Sequence, residues 1–432
     1  MTAIPSKFYA LVDRDSIYDS LFDFCTPATI FRVARTCRLA HAAMLDYTSR
    51  VFDINKHYLR FFNDPFSFRV LQARTHAIVS GSSALQFMDR TVYEKSDLDI
   101  FVTNRCAAEI CAWIVKCGGR GYRFVPTEKQ IEKGIITAAI ALRMHREQQT
   151  HRGDIDEGVA LLDFYDSNRL RSVLNYVSTD GENRKVQVIV TYNTAMEGIL
   201  SFHSTVVMNL ITHFGAYSLY PKGTFERRLL LPCETHEVNR DPGIEKYLSR
   251  GWGVASRRAT TYSAQRKPIF PLGKRFVGDH ATWTIHFDDV EDVLKCVTDN
   301  SLKADPITLN TFSFVKTSPS TVEMRFSIIK PPFFESRYTA CPEIVPKMRF
   351  WFAVLRQMLE CTEESISHRS LPLLWFDWIL VLWITALMGE CTCIPSTART
   401  NYPTCPAFIT GFYQYSVVAR QHLKQIMAID EA

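Results

Sequence analysis

No two of the twelve cysteines stand at the two-residue spacing of a zinc knuckle, and the tightest pair, Cys391 and Cys393 with Cys405 nearby, is separated by one residue only. Cys106, Cys111 and Cys117 sit in apolar contexts and read as buried, reduced thiols. An uninterrupted apolar run of membrane length is missing too. Residues 371–389 have the length, but Asp377 lies inside the run and Pro372 near its start. An ionised aspartate at the bilayer centre costs about 2.5–3.5 kcal/mol even on the gentler insertion scales, so the segment reads as a buried helix packed on residues 350–359 and 413–426. Membrane attachment is therefore not expected. Met1-Thr2-Ala3-Ile4-Pro5 offers neither a basic start nor a long apolar run, so a secretory leader is not expected and the compartment is cytoplasmic or nuclear. Nor does either sign of charge dominate, since the net charge is +5 over 432 residues.

What is present is enough apolar content, 47% against 22% charged, to bury two or three cores. The run Ala77-Ile78-Val79 reads as a buried strand that stops at Ser80-Gly81-Ser82-Ser83. Ala84, Leu85, Phe87 and Met88 then continue at helical spacing. The free N–H groups of the first turn of that helix, with Gly81 and the Ser82 and Ser83 hydroxyls, suit a phosphate. Fourteen residues after Ser82 comes Ser96-Asp97-Leu98-Asp99-Ile100-Phe101-Val102. On a strand, residues two apart share a face, so Asp97 and Asp99 lie together while Leu98 and Ile100 enter the core. Two carboxylates held that close call for a cation, and Mg2+ or Mn2+ fits, since magnesium keeps several waters and takes one or two carboxylates plus substrate phosphates.

Residues 172–178 and 185–191 alternate around Asp180-Gly181 and read as a hairpin. Between the two aspartates and the hairpin the pattern predicts a helix over 107–116, a strand over 122–125, a helix over 129–141 and a polar surface loop over 144–154. His145, His151 and Asp154 of that loop are metal-ligand candidates only in the weak sense that any solvated histidines are. Residues 199–219 read as one long amphipathic helix carrying Ser204 and Asn209, either of which is a candidate base contact.

The Gly81-Ser82 turn and the Asp97-Leu98-Asp99 strand resemble the DNA polymerase β-like nucleotidyltransferase superfamily over roughly residues 76–220. The resemblance implies a mixed sheet with flanking helices, Gly81, Ser82 and Ser83 around the phosphates of a nucleoside triphosphate, Asp97 and Asp99 as catalytic metal ligands, and a third carboxylate on the second strand of the hairpin. That last position holds Gln187. A neutral amide hydrogen-bonds a ribose or a water but adds no charge to the metal that activates the attacking hydroxyl. Transfer of a nucleotidyl group to RNA, protein or a small molecule is thus in question, and a decayed, nucleotide-binding pseudoenzyme is the companion expectation. Asp163 is a substitute ligand out of the family's order, or simply a strand-edge aspartate.

Residues 21–38, broken at Thr26-Pro27, resemble the core of an F-box, without its usual Leu-Pro opening. That resemblance implies a Skp-type adaptor of a ubiquitin ligase as partner; the plain alternative is a helical cap on the next domain. With the Gly-Ser and Asp-x-Asp region, it makes the chain similar to a group of basidiomycete fungal proteins that join an F-box-like start to a nucleotidyltransferase-like domain. A non-enzymatic adaptor is accordingly the rival function.

Between residues 246 and 275, Lys246, Arg250, Arg257, Arg258, Arg266, Lys267, Lys274 and Arg275 occur with no acidic residue, interleaved with or flanked by Tyr247, Trp252, Tyr262, Phe270 and Phe276. Such a stretch suits a triphosphate or single-stranded RNA, or is a solvated loop whose arginines pair elsewhere. Strand-like runs at 283–287 and 322–328 predict a β-containing subdomain or an extension of the sheet. The whole divides as an F-box-like helical module over 1–60, a nucleotidyltransferase-like domain over 61–232, a basic β-containing region over 233–340 and a helical C-terminal region over 341–432. Its fold class is mixed α and β.

Overall fold

The computed structural model describes residues 8, 11–94, 96–144, 162–163, 170–233, 242–260, 268–297, 305–317, 322–329 and 337–346. His145, His151, Asp154, Tyr262, Arg266, Lys267, Cys391, Cys393, Cys405 and residues 347–432, with the apolar run at 371–389, lie outside them. The fold is mixed α/β about an eight-stranded mixed sheet.

Three successive helices form the N-terminal module: α1 (Asp15–Asp23), α2 (Pro27–Ala34) and α3 (Arg38–Val51). Thr26 caps α2 and Pro27 occupies its first turn, where a missing N–H costs nothing. Tyr18, Phe22, Ile30, Ala40, Ala43 and Tyr47 close a small core of their own. Arg90 donates to the Phe22 and Cys25 carbonyls at 2.8 and 2.6 Å and to the Tyr47 hydroxyl at 2.7 Å. Glu226 accepts from the Thr26 hydroxyl and the Ala28 N–H at 2.6 and 2.9 Å, which places a carboxylate at the N-terminus of α2. These bonds fasten the helical module to the sheet domain.

Helices α4 (Ile54–Tyr58) and α5 (Pro65–Thr75) lead into β1 (Ile78–Ser80), α6 (Gly81–Asp89), β2 (Leu98–Thr103) and α7 (Asn104–Cys117). After β3 (Arg123–Phe124) comes α8 (Glu128–Glu132), where the expected helix over 129–141 breaks at Gly134, held at φ +70, and resumes only at 138–144. The short strand β4 (Leu162–Asp163) precedes the predicted hairpin, found as β5 (Leu170–Val177) and β6 (Lys185–Thr191).

The long helix expected over 199–219 is not there. Helix α9 (Ala195–Leu200) ends early, a 3-10 turn follows at Thr205–Val207, and β7 (Asn209–Ile211) and β8 (Gly215–Ser218) form a hairpin. Thr205, Val206, Val207, Ile211 and Thr212 are β-branched and fit a pleated surface better than a helix. Their near-complete burial on both faces removed the alternation that would have revealed the strands.

Strands β9 (Leu229–Leu230) and β10 (Gly253–Val254) pair with each other, and β12 (Trp283–His286) joins the main sheet from the later region, giving the order β12-β8-β7-β1-β2-β6-β5-β3. Of the two readings for 283–287 and 322–328, the first run extends this sheet. Residues 322–325 form β14, which joins β13 (Thr311–Lys316) and β11 (Gly273–Phe276) in a separate three-stranded sheet. The β2 and β6 strands run parallel, while β2 is antiparallel to β1 and β6 to β5.

Leu98, Ile100, Val102, Val186 and Val188 fill one face of the main sheet against Leu71, Leu85 and Ile110. Phe101, Ile189 and Ile78 fill the other against Met196 and Ile199. Burying an Ile or Leu is worth about 1.5–3 kcal/mol, so a one-residue slip of β2 would take Leu98 and Ile100 out of the first core and force both aspartates into it. That penalty fixes which face the carboxylates occupy. No helix among the described residues is long and apolar enough to cross a membrane.

Candidate functional site

Strand β1 ends at Ser80 and α6 begins at once, with Gly81 at φ +65. No side chain caps this helix, and its first turn carries no acidic residue. A Cβ on Gly81 would lie 2.3 Å from Asp99 Oδ2, so the glycine admits both a left-handed backbone and the close approach of a carboxylate. Ser80 stands opposite Asp99 across the β1–β2 pair.

Asp97 and Asp99 share the face that alternation assigns them, and both are half-buried. Burial, and then the neighbouring Asp97 charge, push Asp99 up to about 7, while the positive charge of Lys246 opposes the shift. Asp97 is also raised, by burial first, with Lys185 and Lys246 pulling the other way. The site therefore holds two carboxylates that resist ionising together, approached by two lysines.

Gln187 stands beside Asp99 in the parallel register of β2 and β6, on the same face. Its Nε2 donates to Asn175 Oδ1 at 3.0 Å, and Asn175 is its partner across the hairpin. Ser80, Asp99, Gln187 and Asn175 thus form a lateral row over four strands. Asp163 lies on β4, which pairs with β15 (Ser327–Ile329) in another sheet. Among the described residues no group of three or more His, Cys, Asp or Glu side chains is arranged to hold a metal.

The serines of the turn differ in their surroundings. Ser82 Oγ is 2.8 Å from Ser96 Oγ, and Gln86 Nε2 donates to Ser96 Oγ and to the Ser82 carbonyl at 2.6 and 2.9 Å. Ser96 Oγ also lies 3.3 Å from the Asp97 carbonyl; with its proton there Ser82 donates to Ser96, and with its proton on Ser82 Oγ the Ser82 hydroxyl proton is available to an acceptor in the cleft. Ser83 is turned into the core, where its hydroxyl pairs with His57 Nε2 at 2.9 Å. His57 is depressed to about 3, by burial first and then Arg60, so it is neutral. The Ser83 side chain is thus committed to His57, and only its backbone N–H remains for a phosphate at this helix end.

Of the basic stretch, Lys246 stands near the aspartates on α10 (Pro242–Leu248). The Arg250 guanidinium lies 3.9 Å over the Tyr93 ring and 5.4 Å over that of Tyr247, and Tyr247 stacks on His203. Tyr247, Trp252 and Phe270 are buried in the cores, and Arg275 forms a buried ion pair with Asp279. These side chains hold the fold together and offer no free ring for stacking a base. Sequence reasoning gave Lys185 no role, although alternation from Gln187 put it on the same face. One step back from the Leu98 and Val186 pair, it lies beside Asp97.

Comparison with known protein families, curated proteins and solved structures gave no match to the chain.

Proposed function

We propose that this fold is nucleotidyltransferase-like and that its cleft binds a nucleoside triphosphate with one divalent cation. The observation that carries the reading is the Asp99 carboxylate pressed against Gly81, where an uncapped helix N-terminus meets two half-buried aspartates. Two carboxylates suit magnesium or manganese, which complete their shells with water and phosphate oxygens. A cation bound there would offset the phosphate charge and polarise the phosphoryl group. Asp97 and Asp99 would hold it, the first-turn N–H groups of α6 and the Ser82 hydroxyl would cradle the phosphates, and Lys185 and Lys246 would neutralise their outer oxygens.

Gln187 argues for binding with slow or lost transfer. It occupies the place beside Asp99 from which a third ligand would be presented, and its amide is tied to Asn175. The test is calorimetry of the full chain with each nucleoside triphosphate, with Mg2+ and with chelator. Asp97→Asn and Asp99→Asn should each weaken binding at least about tenfold, and chelator should abolish it. Equal affinity with and without the cation would remove the metal site.

An adaptor role is favoured by one observation on the helical module. Phe24 is 94% exposed, and Leu21 and Phe31 of the same module are exposed too, apolar side chains of the kind a partner covers. Pull-down with a purified Skp-type adaptor, comparing wild type with Phe24→Ser, tests it; no capture by the wild type defeats it.

A further inference from the structure

At the opposite ends of β1, β2 and β6 from the aspartates lies a cavity of about 260 Å3, lined among others by Arg74, Asn104, Arg105, His213, Asp305 and Arg337. It opens at the N-terminus of α7, a fourteen-residue helix whose N-cap, Thr103, makes no side-chain cap. The first turn of α7 carries no acidic residue and does carry Arg105, a cation where the helix dipole already favours an anion. The carboxylates nearby are otherwise engaged. Asp305 accepts from the Thr212 and Tyr217 hydroxyls and the Ile307 N–H. Glu197 accepts from the Asn193 N–H and its side-chain amide, and Glu109 pairs with Arg74. No carboxylate among the described residues reaches Arg105, which is exposed.

A second feature points independently to a ligand. His213 is 4% exposed and lines the cavity, yet no hydrogen bond among the described residues involves its imidazole. Its ring nitrogens are not among the sealed, unpartnered polar atoms, and with no bond elsewhere they remain open to a ligand in the cavity that His213 lines. On the rim, Arg337 donates to Asn193 Oδ1 at 2.9 Å, so Asn193, itself held by Glu197, positions the guanidinium.

We propose that this cavity binds a small phosphomonoester, its phosphate at the first turn of α7 between Arg105 and Arg337 and hydrogen-bonded by His213. Guanidinium groups and helix N-terminal amides match phosphate oxygens in number and direction. The volume lies just below the range of ordinary ligand pockets, which restricts the organic part to a few carbons. The site is independent of the aspartate cleft and does not rest on it.

Calorimetry of the full chain with glycerol 3-phosphate, inorganic phosphate and glycerol tests the proposal. Glycerol 3-phosphate should bind, glycerol should not, and weaker binding of inorganic phosphate would show that the organic part contributes. Arg105→Ala, an exposed position that leaves the core intact, should weaken glycerol 3-phosphate at least about tenfold, and Asp99→Asn should leave it unchanged. Absence of binding by the wild type, equal affinity in Arg105→Ala, or loss in Asp99→Asn would each overturn it.

Discussion

Oδ2 of Asp99 lies 2.3 Å from the place where Gly81 would carry a Cβ. A strand carboxylate and a helix-initiating turn are thereby packed together with no room for any other residue. Gly81→Ala should lose roughly 1–3 kcal/mol of stability from the positive φ alone. It should also push the Asp99 carboxylate aside and weaken nucleotide binding. Thermal unfolding and calorimetry on one preparation check both; an alanine variant that binds like wild type would show that the close approach is incidental.

Asp99 predicts a specific pH dependence. Its folded-state value, about 7, lies above the ordinary carboxylate range, so the folded protein holds this proton more tightly than the unfolded chain. The stability this group contributes is full in acid, below the unfolded value of about 3.9, and is lost as pH rises through about 7. Cation binding needs the ionised form. Affinity for Mg2+ with nucleotide should therefore fall about tenfold for each pH unit below 7 and level off above it. Asp99→Asn should remove that slope and keep or raise the thermal midpoint, because it removes a charge that burial disfavours. A flat profile in the wild type would contradict the site.

Gln187→Asp asks whether one residue separates this cleft from a two-metal site. The carboxylate would stand beside Asp99, and Asn175 can turn its amide to donate to it. Without cation the variant should be less stable than wild type, with three like charges on one face; Mn2+ should recover the loss. Gain of Mn2+-dependent nucleotidyl transfer, read with labelled triphosphates and pooled RNA and protein acceptors, would support a decayed transferase. Equal Mn2+ stabilisation of variant and wild type would show that position 187 does not face the cation.

The helical module hangs on two side chains. Arg90 sits at φ +57 and bonds three acceptors on α1 to α3 and the turn between them. Arg90→Gly keeps that backbone accessible while removing the bonds. It should raise hydrogen exchange across residues 11–51 more than across β1, β2 and β6, with Glu226→Gln acting in the same direction and more weakly. Uniform exchange changes over the whole chain would instead make Arg90 a core residue of the sheet domain.

Local chemistry determined much of this protein in advance. The alternation of Leu98, Asp99 and Ile100, the glycine before an apolar helix, the Asp180-Gly181 hairpin and Thr26-Pro27 at a helix start are short-range signals, and their elements stand where those residues put them. Tertiary structure decided the rest. The hairpin at 209–218 was hidden because both of its faces are buried. Three aromatic rings of the basic stretch, Tyr247, Trp252 and Phe270, went to the cores, where segments far away in sequence cover them. Ser83 was drawn inward by His57, a partner twenty-six residues earlier. The alignment of Gln187 beside Asp99, the approach of Lys246 and the presence of Arg105 and Arg337 on one cavity all depend on strand pairing and packing over long sequence separations, which no local pattern encodes.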